Sequence, residues 1–165
     1  MERLKGGATA PPAGETEATA RKIAADHGNR PDALIEILHG VQAELGWVPE
    51  AALPVLADAL NLSRAEVHGV VTFYHDFRRE PAGRHVLKIC RAEACQAMGC
   101  ETLVARAEGR LGVACGSTSA DGRVTLEAVY CLGLCATAPS AMLDGEVVGR
   151  LTAPKLDALL KGAGA

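Results

Sequence analysis

Apolar side chains recur with helical spacing in the first half of the chain. The clearest run has the spacing i, i+3, i+4, i+7 and i+11, which places its members on one face of a helix: Leu34, Ile37, Leu38, Val41 and Leu45. Pro31 near the start of this run and Gly46 just past its end are residue types that commonly bound a helix. The run therefore predicts an amphipathic helix.

Two further segments of this half are short helical runs. Glu17–His27 ends at Gly28, a residue type that favours the position just after a helix. Glu50–Leu60 predicts another helix, provided that Pro54 lies in its first turn, where a missing N–H breaks no hydrogen bond.

A capping box marks the start of a fourth helix. Ser63-Arg64-Ala65-Glu66 has the required pattern, and apolar or aromatic residues follow it with helical spacing: Val67, Val70, Val71 and Tyr74. Residues 16–80 are therefore expected to form a bundle of about four helices. Residues 1–15 are rich in Gly, Ala, Pro and Thr without a periodic pattern, and we expect a flexible tail there.

The hydrophobic period changes after residue 83. Residues 85–90 suit a short buried strand, Gly99–Leu111 has helical spacing, and Ala114–Gly122 is a polar segment typical of a loop. Val124–Tyr130 alternates between apolar and polar side chains and predicts a second strand. Both predicted strands lead directly into a cysteine.

The end of the chain completes a small α/β unit over residues 84–165. Ser140–Leu143 and Glu146–Arg150 are joined by Asp-Gly, which predicts a hairpin. Thr152 can cap a last helix that runs to Leu160. The element order is therefore close to β-α-β-β-β-α, and the whole chain is expected to be of the α+β class.

The first two strands of this unit are expected to be parallel. A right-handed β-α-β crossover brings their carboxyl ends to the same edge of the sheet. Cys90 and Cys131 would then be neighbours there, with Cys95 and Cys135 on the loops beyond them. Open α/β sheets bind ligands at that edge, so four thiols could converge on one site.

Composition and charge exclude several classes of function. The 165 residues are 48% hydrophobic but only 3% aromatic, with a formal net charge of −3, which argues against nucleic acid or anionic lipid as a partner. No apolar run approaches the roughly twenty residues of a membrane span, and the first fifteen residues lack a signal-peptide pattern. A cytoplasmic protein is expected.

The six cysteines carry the candidate chemistry, and all follow residue 89: Cys90, Cys95, Cys100, Cys115, Cys131 and Cys135. A cytoplasmic setting disfavours disulfides, so metal binding or redox chemistry is the better interpretation. The spacings C-x4-C and C-x3-C are looser than most zinc knuckles and lack the C-x2-C of a redox centre. They favour a [2Fe–2S] cluster, while a zinc site and buried unligated thiols remain open.

Several segments resemble one protein family. Val70–Tyr74, the Cys90–Gly99 segment and Cys131–Pro139 are similar to the small thioredoxin-like [2Fe–2S] subunit of respiratory NADH:quinone oxidoreductase, complex I. Leu34–Pro49 resembles the helical N-terminal region of that family. The resemblance covers roughly residues 20–160, and it implies a thioredoxin-like domain over residues 84–165.

Within the family, Cys90–Gly99 is most similar to the gamma subunit of soluble, molybdenum-containing NAD-dependent formate dehydrogenases. This similarity implies two partners. One is a beta subunit that carries FMN, the NAD(H) site and an iron–sulfur cluster, and the other is an alpha subunit with further clusters and the molybdenum cofactor. The equivalent subunit of complex I or of an NAD-reducing hydrogenase is the alternative.

The resemblance also implies the cluster ligands and the roles of nearby residues. Its ligand positions fall on four of the six cysteines: Cys90, Cys95, Cys131 and Cys135. Cys100 and Cys115 match no ligand position and are expected to be buried apolar side chains. Backbone N–H groups around the ligands should face the cluster sulfurs. Gly133 suits either a close approach to the cluster or a tight turn, and the bond before Pro139 is expected to be cis.

No catalytic site is expected on this chain. The nucleotide-binding, serine-hydrolase and zinc-protease motifs are absent from the sequence, and its histidines have no ligand spacing. We therefore expect a non-catalytic electron-transfer subunit of an NAD-dependent oxidoreductase. A zinc-stapled adaptor protein and a thiol oxidoreductase are the alternatives from other classes.

Overall fold

The structure is a computed structural model that describes residues 12–164, and these residues form two compact units. The first unit ends at Pro81 and the second begins at Ala82. Helices and a sheet occur in one chain, which confirms the predicted α+β class. None of the described helices is both long and apolar enough to cross a membrane.

The first unit is helical. A 3₁₀ turn at Pro31–Ala33 precedes the second of its four α-helices: α1 Ala13–Asp26, α2 Leu34–Leu45, α3 Ala52–Leu60 and α4 Arg64–Phe73. Helix α1 begins earlier than predicted, because the alanines and glutamates that follow Pro12 favour helix. Residues 13–15 are therefore helical rather than part of the predicted tail, and residues 1–11 of that tail lie outside the described residues.

The predicted apolar face of α2 forms the centre of this unit. Ile37, Leu38 and Val41 are fully buried and pack with residues of the other three helices. The buried Gln42 amide donates to the carbonyl of Asp76 at 2.7 Å and accepts from the backbone N–H of Arg78 at 2.7 Å. This side chain ties α2 to the segment that follows α4.

Two local predictions for this unit are confirmed. The hydroxyl of Ser63 accepts from the backbone N–H of Glu66, while the Glu66 carboxylate accepts from the backbone N–H of Ser63, which completes the capping box of α4. Pro54 is the third residue of α3 and therefore lies in its first turn.

The second unit is built on a five-stranded sheet with the order β2-β3-β1-β4-β5. Its elements are, in chain order, β1 His85–Cys90, α5 Glu93–Ala97, α6 Cys100–Leu111, β2 Ser117–Thr118, β3 Val124–Val129, β4 Ala141–Leu143, β5 Glu146–Val148 and α7 Ala153–Gly162. A 3₁₀ turn at Cys135–Thr137 lies between β3 and β4. Strands β1 and β3 are parallel, and the other pairs are antiparallel.

The β1–β3 pair is the middle of this unit. It is paired from His85 with Val124 to Cys90 with Val129. The sheet side chains Leu87, Ile89 and Leu126 are fully buried and share one core with residues of α6 and α7. The predicted parallel crossover is therefore confirmed.

Two short elements were not expected. Strand β2 lies within the predicted loop 114–122 and pairs with the edge of β3, where Gly116 N–H also donates to the Leu126 carbonyl at 2.7 Å. Helix α5 occupies the interval between Cys90 and Gly99. Its single turn is too short for a hydrophobic period.

Leu126→Ala should strongly destabilise the second unit. The side chain is fully buried between the sheet and the helices, so its removal loses apolar burial and leaves a cavity. We expect the free energy of unfolding to fall by about 2–5 kcal/mol in urea denaturation.

Val147→Ala is the matched control for this change. Val147 is 52% exposed on the short strand β5, so its truncation should alter stability by less than about 0.5 kcal/mol. Equal losses of stability in the two variants would contradict the core described here.

Candidate metal centre

The ends of β1 and β3 bring the four predicted ligands to one edge of the sheet. Cys90 is the last residue of β1 and is paired with Val129, the last residue of β3. Cys131 follows Val129 by two positions, and Cys95 and Cys135 lie in the segments beyond the two strands. This is the edge that the sequence predicted.

One of the two cysteine pairs is buried. Cys90 and Cys95 are each 2% exposed, and Cys95 is the central residue of α5. The Sγ atom of Cys95 lies 3.6 Å from the hydroxyl oxygen of Ser140, which is itself buried. A thiol pair with a hydroxyl beside it therefore lies within the protein interior.

The other pair lies at the surface. Cys131 and Cys135 are exposed, and their Sγ atoms are 3.8 Å apart. The backbone N–H of Gly133 donates to the Cys131 sulfur at 3.3 Å. The segment between the two cysteines thus folds back on the first of them.

The electrostatics show that the two pairs influence each other. Burial raises the pKa of Cys90, but the net pKa is lowered because polar groups stabilise its thiolate: the backbone N–H groups of Ala92 and Leu132, the Cys95 thiol and the Ser140 hydroxyl. The N–H of Leu132 belongs to the loop that carries the exposed pair. The buried pair and the exposed loop therefore meet.

Cys135, in the exposed pair, has a pKa shift in the opposite direction. A hydrogen bond with Cys131 and the charge of that residue raise the pKa of Cys135, and burial and the charges of Cys95 and Cys90 raise it further. Negative charge on the other three cysteines therefore makes Cys135 harder to ionise. Such a cluster of thiolates favours a positively charged metal group that would neutralise them.

The donor set fits a binuclear cluster. A thiolate–metal bond of about 2.3 Å and a tetrahedral angle place two sulfurs on one metal about 3.8 Å apart. The Cys131–Cys135 pair has this separation. Within residues 12–164, no three His, Cys, Asp or Glu side chains are grouped closely enough to hold a single ion. The thiols are arranged as two pairs, and a [2Fe–2S] cluster binds two thiolates on each iron.

The backbone of the exposed loop has unusual geometry. Cys131 has φ 126°, a region that residues with a Cβ rarely adopt and that costs of the order of 1–3 kcal/mol. Gly133 has φ 74°, and a Cβ built there would meet no atom within 4 Å. The positive φ of this turn is by itself a reason for glycine at this position.

The remaining two cysteines lie nearby but outside the two pairs. Cys100 is fully buried at the start of α6 and packs with Cys90 and Cys95, and burial raises its pKa. Cys115 is half-buried, and its pKa is also raised, mainly by burial. Cys100 is buried as expected, whereas Cys115 is only partly buried against the core of the second unit.

Two features of the site have no signature in the sequence. Arg91 makes a two-pronged ion pair with Glu101, at 2.9 Å and 2.7 Å, which joins the end of β1 to α6. Ser140 contacts the buried Cys95, although it lies 45 residues further along the sequence.

The bond between Ala138 and Pro139 is cis, as the resemblance led us to expect.

Comparisons with known proteins identify a family and several relatives. The sequence model of the family described as thioredoxin-like [2Fe-2S] ferredoxin matches residues 20–163. A subunit of the NADH-quinone oxidoreductase of Pseudomonas aeruginosa is 40% identical over 136 residues, which are 82% of each chain. The corresponding protein of Escherichia coli K12 is 39% identical over 129 residues, 78% of each chain.

A solved structure is also similar. The crystal structure of an NAD+-reducing [NiFe]-hydrogenase in the air-oxidized state aligns with a TM-score of 0.69 and 26% sequence identity. The alignment covers 80% of this chain and 23% of that chain. This chain therefore spans less than a quarter of the hydrogenase chain that it matches.

Alkylation of the reduced, metal-free chain should separate the two cysteine pairs. Exposed thiols react with iodoacetamide faster than buried ones, so Cys131 should be modified about tenfold faster than Cys95. Mass spectrometry of the peptides measures each rate, and the fully buried Cys100 is the internal control. Equal rates at Cys131 and Cys95 would contradict the burial described here.

Proposed function

This chain belongs to the thioredoxin-like [2Fe-2S] ferredoxin family, and we propose that four of its cysteines bind the cluster: Cys90, Cys95, Cys131 and Cys135. The observation that carries the proposal is the position of these residues at, or just beyond, the carboxyl ends of two adjacent parallel strands. Two pairs of thiols at one sheet edge provide the four thiolates that a [2Fe–2S] cluster requires.

The residues around the thiols fit the binding of an anionic cluster. When bound, such a cluster accepts and releases one electron at a time. The N–H groups of Ala92, Leu132 and Gly133 face the ligand sulfurs and stabilise their negative charge. The buried pair keeps water from one side of the site, and the exposed pair leaves the other side open to a redox partner.

The chain is an electron-transfer subunit of the type found in complex I and in NAD-reducing hydrogenases. By their names, the curated relatives are subunits of NADH-quinone oxidoreductases, and the similar solved structure is that of an NAD+-reducing hydrogenase. A flavoprotein that binds NAD(H) is therefore the partner that we propose for the exposed side. No acid, base or nucleophile for a substrate reaction is needed in such a role.

We further propose that the complex is a cytoplasmic NAD-dependent formate dehydrogenase. The similarity of the Cys90–Gly99 segment to the gamma subunit of those enzymes supports this assignment. The partners would be a beta subunit with FMN, the NAD(H) site and an iron–sulfur cluster, and an alpha subunit with further clusters and the molybdenum cofactor. A place in complex I or in a hydrogenase is the second candidate, favoured by the relatives that the chain matches.

Anaerobically purified protein should contain two irons per chain, absorb visible light and give an EPR signal when reduced. Replacing any one ligand by serine should remove most of this iron, because a hard hydroxyl binds iron less well than a thiolate does: Cys90→Ser, Cys95→Ser, Cys131→Ser or Cys135→Ser. Iron analysis and EPR spectroscopy of each variant make the measurement.

Cys100→Ala and Cys115→Ala are the matched controls, since both positions lie outside the two pairs. They should keep the iron and the spectrum of the unchanged protein. A colourless protein with one zinc per chain would contradict the cluster and favour the zinc-stapled adaptor. Loss of iron from the Cys100→Ala variant alone would contradict the ligand set.

Co-purification distinguishes the parent complexes. The tagged chain should bring with it a flavoprotein and a molybdenum-containing subunit, and the isolated complex should reduce NAD+ with formate. Mass spectrometry and molybdenum analysis identify these partners. A nickel-containing subunit or a quinone-reducing membrane arm in their place would contradict the formate dehydrogenase assignment and leave the cluster proposal unchanged.

A further inference from the structure

A single buried hydroxyl lies against the buried cysteine pair. Ser140 is 1% exposed, and its Oγ atom lies 3.6 Å from the Sγ atom of Cys95. The same hydroxyl also helps to lower the pKa of the Cys90 thiol. A hydroxyl removed from water needs a hydrogen-bond partner, and here that partner is the Cys95 sulfur.

The position of this hydroxyl is fixed by the sheet rather than by a loose loop. The carbonyl of Ser140 accepts from the backbone N–H of Cys90 at 3.0 Å. Its neighbours on both sides are also held, because the Pro139 carbonyl accepts from Leu151 N–H at 2.8 Å and Ala141 pairs with Ile89. The backbone that carries this hydroxyl is therefore held next to Cys90 by the sheet.

We propose that the Ser140 hydroxyl donates a hydrogen bond to the sulfur of Cys95, in the buried pair, and thereby raises the reduction potential of the bound cluster. This inference rests on the ligand set proposed above. Reduction adds one negative charge to the cluster and its sulfur ligands, and a donor at a sulfur stabilises the more negative state. The interaction lies in the interior, where low polarity strengthens it.

Ser140→Ala in the full chain removes the donor and leaves the backbone contacts in place. The potential should shift to a more negative value, and the equilibrium constant for reduction should fall by about fivefold, the effect of one hydrogen bond. Ser140→Thr keeps the hydroxyl and should keep the potential of the unchanged protein. Redox titration followed by EPR measures the potential of each loaded protein.

Ser119→Ala is the matched control. The Ser119 side chain is also buried, and its hydroxyl donates to Asp121 at 2.6 Å and accepts from Val124 N–H at 3.0 Å. It precedes β3 at the amino end of that strand, whereas the cysteines lie at the carboxyl end. Loss of this hydroxyl should lower stability and leave the potential unchanged.

Each outcome decides the inference. An unchanged potential in loaded Ser140→Ala, or an equal shift in Ser119→Ala or in Ser140→Thr, overturns it. If Ser140→Ala binds no cluster while Ser140→Thr does, the hydroxyl–sulfur bond is supported, and if neither binds one, a packing role replaces it. If the protein without any substitution holds no two-iron cluster, the proposed ligand set is itself overturned. That result is distinct from a failure of the inference about Ser140.

Discussion

The parallel pairing of β1 and β3 is the constraint on which the rest of the second unit depends. Cys90 and Cys131 are far apart in the chain, and only the helical crossover between the strands lets their ends become neighbours. The entropy lost in closing this long connection is offset by the core that Leu87, Ile89 and Leu126 form with the two helices. The packing that stabilises the sheet therefore also determines where the thiols lie.

The site is asymmetric because its two halves come from different environments. Cys90 and Cys95 lie at the end of a central strand and in a short helix, and the core surrounds them. Cys131 and Cys135 belong to a surface loop with a strained backbone at Cys131. Polar groups act more strongly on the buried half, where solvent screens less, and the exposed half is accessible to another protein.

The parts of this structure that could be predicted are those that repeat along the chain or obey a local rule. The face of Leu34–Leu45 repeats with helical spacing, the Ser63 capping box is a local rule, and the crossover follows from the order of two strands. Helix α5 is a single turn, which is too short to show a hydrophobic period. Ser140 forms no recognisable sequence motif with any of the cysteines. Its role depends on where β4 pairs with β1, which a single sequence does not encode in a visible pattern.

The pairing of β1 with β3 has a further consequence, which concerns the number of residues in β1. Successive side chains of a strand point to opposite faces, so Ile89 and Cys90 face opposite ways. Loss of one residue from β1 would exchange the two faces and turn the thiol toward the place where Ile89 now packs. The length of this strand, counted in single residues, thus constrains the chain as strictly as the intervals between its cysteines do.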